Sequence, residues 1–499
     1  MHLLNLIRLL NPLILGSFFI VFLFANNLGE GIGFLEVISL FSIISIFSYV
    51  VLLISLLIFK NLSRASFYSL ALLFIFYSYG YFYDLLNEIT FINEFSRHRF
   101  LIPFILIFLI IGLFRLVKKD WELEKFHKIF FISFSALIII NSLMIINFDL
   151  KKSNPLVNNA EITLTQEYED IPDVYHIVLD MYPTEDILKT RFEFDNSKFI
   201  NELKSLGFRK ENMKSNYMWT GISIPSTINM THFYNSTPEQ MNYMRETHHS
   251  FNKSVEAFYA KKIGYEIYEI STDDIKGFYG YFLGDFSRIF FKTNMLRVVD
   301  ASPLKFHKLW TNINQKYFNE NINQLVNISN EDKATWVYFY SRPPHPPFIF
   351  NEDGSKNLSL NSNKKFSWNF DNKFSFIEQL KYVNKTVLES VEKILSRSNN
   401  SIIIIHSDDG IPDLSESFLI NGDNNLEFGV YEELFSTINF IYSPDNCIKE
   451  DQLIKSNINI ISTLFRECFN LKIKDKENIQ LWNPGSNVDE FIPIYKTGK

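Results

Sequence analysis

Apolar residues in the first 150 positions fall in long unbroken runs rather than at strand or helix spacing. Five runs stand out, at residues 9–25, 37–59, 65–83, 100–117 and 129–148. The second has no charge at all. The fourth carries only Arg115, near enough to one end for its long side chain to reach the headgroups. A helix needs about 20 apolar residues to cross a bilayer, because its backbone polar groups must be satisfied internally in lipid. Buried helices of soluble proteins rarely run so long without charge, so the five are read as transmembrane helices. No A-x-A-like site follows the first run, which argues against a cleaved signal peptide.

Beyond Asp149 the pattern changes. Residues 149–173 form a polar connector that includes the acid-rich stretch 161–170. Short apolar runs then alternate with helical spacing. Residues 174–179, 265–270, 335–340, 401–405 and 435–442 read as strands. Residues 197–206 read as a helix closed by Gly207, and 250–262 as another. A longer helix over 374–395 follows from Ile377, Leu380, Val383, Val387, Val391 and Ile394, and 458–469 reads as a closing helix. Fully apolar strands alternating with helices predict an α/β sandwich with a mostly parallel central sheet. The expected organisation is a transmembrane domain of five helices at 1–148, a linker at 149–173 and a compact domain at 174–499.

Charge orients this arrangement. The chain has 499 residues, with 48 Lys+Arg against 55 Asp+Glu, net −7. The first 148 residues hold ten basic and eight acidic residues, so the remainder is net −9. That excess of acid excludes nucleic acid as a partner, since phosphate neutralisation needs clustered Lys and Arg. An apolar share of 47% excludes a disordered chain. With the N-terminus inside, Arg8, Lys60, Arg64, Arg115, Lys118, Lys119, Lys125 and Lys128 lie on the cytoplasmic side, and the opposite loops hold only Arg97 and Arg99. Five crossings then put everything after Asp149 outside the cytoplasm. The expected location is the cell membrane, multi-pass, with membrane lipids as immediate neighbours. Only Cys447 and Cys468 occur, which rules out a Cys-based zinc site and leaves one disulfide possible in that compartment.

The candidate chemistry begins where strands end. In parallel sheets ligands bind beyond the carboxyl ends of the strands. Two apolar strands end in acid, at Asp180 and at Asp408-Asp409. A lone Asp there is commonly a turn or cap residue. Together the three form an all-oxygen cluster suited to Mg²⁺ or Mn²⁺, because neighbouring carboxylates repel unless a cation or proton intervenes. Residues 215–230, SNYMWTGISIPSTINM, offer hydroxyls at Ser215, Thr220, Ser223, Ser226 and Thr227. Each either caps a helix or serves as a nucleophile activated by a cation, and the residues alone do not choose among them. His345 sits in RPPHPPF (342–348), where prolines stiffen the backbone around it. It is either part of a rigid turn or a group held over the strand ends for proton transfer or oxygen binding.

Five pieces then occur in one order: VYHIVLD (174–180), SNYMWTGISIPS (215–226), PHPPF (344–348), FIEQLKYVNKTV (376–387) and IIIIHSDDG (402–410). In this the chain resembles the alkaline phosphatase/sulfatase superfamily. Within it, the chain is most similar to the membrane-anchored sulfatase-like proteins of bacterial envelopes, the group around lipoteichoic acid synthases and phosphoethanolamine transferases. Five membrane helices before an outer domain match the synthase layout. The resemblance implies that Asp180 is a metal ligand and that Thr220 is the metal-bound nucleophile, with Ser223 and Pro225 in the matching places of T-x-x-S-hydrophobic-P. It implies that Asp408 is a further ligand and that His345 binds substrate. It also implies a phospholipid donor and an envelope glycan or lipid acceptor.

Three departures qualify it. Asp409 stands where the family has His, which favours Mn²⁺ or Mg²⁺ as the one divalent cation, with Zn²⁺ still possible. His406, two residues before Asp408, is a possible replacement for the missing imidazole. Met181 follows Asp180 where Gly is common. The start of a formylglycine frame at Ser223-Ile224-Pro225 lacks its Arg, since Thr227 stands in that place. The expected function is therefore metal-dependent transfer of a phospho-substituent such as phosphoglycerol or phosphoethanolamine. The alternatives are a phosphodiesterase or sulfatase-like ester hydrolase, and an envelope binding protein with a decayed site.

Overall fold

The apolar runs form five long helices, α1 (His2–Ala25), α2 (Phe34–Phe59), α3 (Leu62–Glu88), α4 (His98–Lys118) and α5 (Glu124–Leu150). Each outruns its apolar stretch, because helical hydrogen bonding continues into flanks that solvent or headgroups can satisfy. All five are long and apolar enough to cross a membrane. Large apolar side chains such as Phe104, Phe108, Ile132 and Ile140 point outward, as a surface facing lipid requires.

The computed structural model describes residues 2–28, 32, 34–88, 97–118, 123–150, 155–156, 171–248, 250–272, 285–300, 306–328, 333–357, 373–398, 400–411, 434–444, 447–449, 454–482 and 491–494. The acidic run at 161–170, with most of the expected linker, lies outside them. The chain divides into two units. One is Met1–Ser153 with Ile275–Leu309, and the other is Asn154–Asp274 with Trp310–Lys499.

The first unit therefore includes an excursion that the sequence reading left inside the 174–499 domain. Its helix Asp285–Thr293 buries Phe286 and Phe290 among Leu15, Leu73 and Tyr77. The Ser287 N–H donates to Glu36 Oε1 at 3.0 Å, and Arg297 pairs with Asp84 at 2.7 Å. Gly80 makes the approach possible, since a Cβ there would stand 2.3 Å from the Lys292 carbonyl oxygen. The reason for the excursion is amphipathic: its phenylalanines need an apolar partner, and the helix ends supply one.

The second unit is built on a six-stranded sheet. The strands are β1 (Asp173–Leu179), β2 (Arg209–Lys210), β3 (Glu266–Ser271), β4 (Thr335–Ser341), β5 (Ser401–His406) and β6 (Asn439–Tyr442), in the order β2-β6-β5-β1-β4-β3. Strands β5, β1, β4 and β3 run parallel, while β6 pairs antiparallel with both β5 and β2, so the sheet is mixed. The strand expected over 435–442 is shorter, because residues 436 and 437 form only isolated bridges. A further pair, β7 (Gln480–Trp482) and β8 (Ile492–Ile494), lies apart from this sheet.

Apolar side chains from β1, β4 and β5 point to both faces. On one they meet the helix Lys373–Arg397 through Leu380, Val383 and Val387, and on the other the helix Ile460–Phe469 through Leu464 and Phe465. This double burial explains why the strands read as unbroken apolar runs. A disulfide joins Cys447 to Cys468.

Candidate active site

The parallel register builds the site. Leu179 lies opposite Ser341 on β4, and Val178 opposite His406 on β5. Residues just past β1 and β5 thus emerge side by side at one edge. Asp180, Asp408 and Asp409 are all buried there, and each offers an oxygen within 4.8 Å of the other two. The Asp180 N–H donates to the Ser341 carbonyl at 2.9 Å, which extends the ladder by one residue and fixes the carboxylate.

Thr220 comes from a different stretch. It is the first residue of the helix α8 (Thr220–Ile228), entered from an extended Trp219. Its Oγ1 stands 3.4 Å from Asp180 Oδ1 and 3.4 Å from Asp409 Oδ2. The helix N-terminus adds a positive field at the hydroxyl, which favours its ionised form and any anion bound beside it. Ser223, one turn on, is buried and donates to the Asp408 carbonyl oxygen, tying α8 to the end of β5. Of the five Ser and Thr hydroxyls in 215–230, Thr220 is the one bonded to two of the clustered carboxylates. Thr227 bonds back to the Ser223 carbonyl. The Ser215 and Ser226 hydroxyls are buried without a hydrogen-bond partner among the described residues.

Burial of like charge dominates the electrostatics. The Asp408 carboxyl is pushed up to about 8, first by burial and then by the Asp180 charge. Asp409 is likewise held well above the usual carboxylate range, by burial and by Asp408 and Asp180. Asp408 Oδ2 is buried and has no hydrogen-bond partner among the described residues. Three buried carboxylates with an orphaned oxygen fit a divalent cation, which would supply the missing charge and the missing partner. Asp180, Asp408, Asp409 and the Thr220 hydroxyl would hold it. The all-oxygen donor set suits Mn²⁺ or Mg²⁺.

His345 lies in the loop after β4. Its N–H donates to the Arg342 carbonyl at 2.8 Å, and Gln379 on the long helix donates to the Pro344 and His345 carbonyls at 3.0 and 3.1 Å. The peptide bonds Pro343–Pro344 and Pro346–Pro347 are cis. The half-buried imidazole lines a pocket with Thr272, Phe318 and Arg342. This loop hangs on the strand that fixes Asp180.

His406 does not join the three aspartates. Its Nδ1 is 3.0 Å from the Ser407 carbonyl and its Nε2 is 2.8 Å from Nε2 of His176 on β1. Residues two apart on a strand share a face only while the strand is regular, and β5 ends at His406. Burial first, then His176, pushes its imidazole down to about 3, so the ring is neutral. Asp409, not His406, completes the cluster with Asp180 and Asp408.

Several contributors escaped the sequence reading. Tyr340 donates its phenol O–H to Asp180 Oδ2 at 2.6 Å. Its signal was a hydroxyl-bearing ring at the end of an otherwise core strand. Ser407 accepts the Tyr182 N–H and donates to the Asp409 carbonyl, both at 2.8 Å. Met181 adopts a left-handed φ of 61°, and its N–H donates to Asp408 Oδ1 at 3.2 Å. The turn that Gly makes readily is thus kept here by a residue that pays a conformational penalty for it.

No known family profile matches the sequence, and no curated protein matches it. Solved structures do. The C-terminal periplasmic domain of EcEptC from Escherichia coli, in complex with Zn, aligns at 9% identity and a TM-score of 0.44, over 68% of this chain and 96% of that one. The integral membrane lipooligosaccharide phosphoethanolamine transferase A from Neisseria meningitidis aligns at 12% identity and a TM-score of 0.36, over 95% of this chain and 96% of that one. The phosphonate monoester hydrolase of Agrobacterium radiobacter aligns at 10% identity and a TM-score of 0.36, over 62% and 80%. Phosphoethanolamine transferases and a phosphonate monoester hydrolase are thus among the solved structures that this chain is similar to.

Proposed function

We propose that the protein is a membrane-anchored enzyme of the alkaline phosphatase/sulfatase type that transfers a phospho-substituent from a lipid donor to an envelope glycan or lipid. The observation that carries this reading is the Thr220 hydroxyl, 3.4 Å from carboxylate oxygens of both Asp180 and Asp409 at the mouth of a buried acidic cluster. The ordered motifs across the outer domain supply the type, and the five long apolar helices supply the anchor.

A divalent cation bound by this donor set would acidify the threonine hydroxyl and offset charge on the phosphoryl oxygens. The chain's own groups account for the rest. Thr220 Oγ1 attacks phosphorus, an O–P bond forms, and the bond to the donor's alcohol oxygen breaks. The hydroxyl proton leaves with that alcohol. In the second half the acceptor oxygen attacks the phosphothreonine, the new O–P bond forms as the Thr220 Oγ1–P bond breaks, and Thr220 Oγ1 regains a proton from the acceptor hydroxyl. The N-terminus of α8 faces the charge that develops in both halves. Tyr340 and the Ser341 carbonyl hold Asp180 in place, and Ser223 holds Asp408. His345 is the group for substrate oxygen binding or proton transfer.

We assign the outer domain to the extracytoplasmic side, with the N-terminus cytoplasmic, on the loop-charge bias and on the disulfide between Cys447 and Cys468. The test uses the full chain in vesicles containing phospholipids labelled in the headgroup phosphate, supplied with Mn²⁺. Label moving to a glycan or lipid acceptor and lost in Thr220→Ala supports transfer. Label released as a free phosphorylated headgroup makes the protein a hydrolase. Release of neither kind overturns the enzymatic reading.

A further inference from the structure

Behind the aspartates, on the inner side of the sheet, runs a buried chain of polar groups that the proposed chemistry does not use. Glu256 on α10 (Val255–Ile263), His176 on β1 and His406 on β5 are each 0–1% exposed. Glu256 Oε1 accepts from Trp336 Nε1 at 2.9 Å and lies 2.8 Å from His176 Nδ1. His176 Nε2 lies 2.8 Å from His406 Nε2, and His406 Nδ1 lies 3.0 Å from the Ser407 carbonyl. That carbonyl belongs to the peptide that leads into Asp408.

The donors along this chain follow from its end. A carbonyl only accepts, so His406 Nδ1 carries the hydrogen. With that hydrogen on Nδ1, His406 Nε2 accepts from a hydrogen on His176 Nε2. His176 Nδ1 faces a carboxyl oxygen that already accepts from Trp336. Either Nδ1 also carries a proton and Glu256 is ionised, or Glu256 Oε1 is the protonated hydroxyl and donates to Nδ1 while accepting from Trp336. The arrangement with a hydrogen on neither facing nitrogen would set two imidazole lone pairs against each other at 2.8 Å in a dry interior, a large cost.

We infer that Glu256, His176 and His406 are positioning residues for the metal site: their hydrogen-bond chain sets the tautomer of His406, and the Nδ1 hydrogen holds the Ser407–Asp408 peptide so that the Asp408 carboxylate faces the cluster. Asn457 Nδ2 is the second donor on the same carbonyl, at 2.7 Å. Outer partners of ligating residues commonly change metal affinity by about 10–100-fold. The inference rests on the metal-binding part of the proposed function.

Glu256→Gln separates positioning from space filling. Glutamine has the same shape, but its Oε1 accepts only, so it cannot both receive from Trp336 and donate to His176 through one atom. His176 then keeps its hydrogen on Nδ1, and His406 is forced to the Nε2–H form, with a lone pair against the Ser407 carbonyl. The full chain in detergent is titrated with Mn²⁺ alone by calorimetry, and thermal unfolding is followed without metal. The expected result is Mn²⁺ affinity lower by about tenfold or more in Glu256→Gln, out of proportion to any change in the metal-free unfolding temperature. A folded Glu256→Gln chain with wild-type affinity overturns the inference. Ring ¹⁵N spectra of the histidine-labelled wild type decide independently of whether the variant folds. A His406 ring protonated at Nδ1 supports the chain as drawn, and one protonated at Nε2 contradicts it. Failure of the wild type to bind Mn²⁺ would instead strike the proposed metal site.

Discussion

Asp409 Oδ2 lies 3.4 Å from the Thr220 hydroxyl, so this carboxylate faces the candidate nucleophile directly. This makes Asp409→His an informative substitution. It exchanges an oxygen donor for a nitrogen donor and removes one of three mutually repelling charges. The ratio of Zn²⁺ to Mn²⁺ affinity should rise in Asp409→His relative to wild type, measured by competition titration. An unchanged ratio would remove Asp409 from the donor set.

Thr220→Ala should lower kcat by about 10⁴-fold or more on any phosphodiester the wild type turns over, the scale seen when a covalent nucleophile is lost. Folding should survive, because the two hydrogen bonds of the hydroxyl are long and its helix is held elsewhere by Ser223. Circular dichroism and unfolding temperature check the fold, and a steady-state assay checks the rate.

The aspartates make metal-free stability depend on pH in a definite direction. The Asp408 carboxyl binds its proton more tightly in the folded state, where it titrates near 8, than in the unfolded chain, where the ordinary value is 3.8. Stability from this group is full below the unfolded value and is lost as pH climbs through the window up to about 8. A cation takes the proton's place, so stabilisation by Mn²⁺ should grow over the same window. Unfolding temperatures with and without Mn²⁺ across that range provide the check. A shift independent of pH would contradict the burial of charge described here.

Much of this was legible in the chain because strands buried on both faces end abruptly. Asp180 and the Asp408-Asp409 pair announce themselves by following unbroken apolar runs, and the five membrane helices are plain for the same kind of reason. The remainder depends on contacts between distant residues. The Tyr340 hydroxyl at the end of a core strand is a signal without a visible target, and nothing local ties Ser407 to the Tyr182 N–H. His176 and Glu256 are 80 residues apart and meet only where a helix residue reaches a strand residue. The helix Asp285–Thr293 shows an amphipathic face, but spacing cannot say which unit covers it. Strand β6 falls short of its apolar run because Ser436 and Thr437 bridge singly to Lys214 and Pro183 and do not join the β5 ladder.

The disulfide closes a loop of 21 residues between Cys447 and Cys468. Chain-entropy reasoning gives a bridge of that span about 3 kcal/mol of stability. Replacing both cysteines with serine should lower the unfolding free energy of the full chain by roughly that amount. Mn²⁺ affinity should be little changed, because neither cysteine touches the aspartates. Denaturant unfolding paired with a metal titration checks both parts.

The most direct test of the central claim is the number of Mn²⁺ ions bound per chain, measured by calorimetric titration of the full chain in detergent, for wild type, Asp180→Asn and Asp408→Asn. Side chains from two separate strands sharing one cation predict a single site in the wild type and its loss in either variant. No binding in the wild type, or undiminished binding in both variants, would contradict the account.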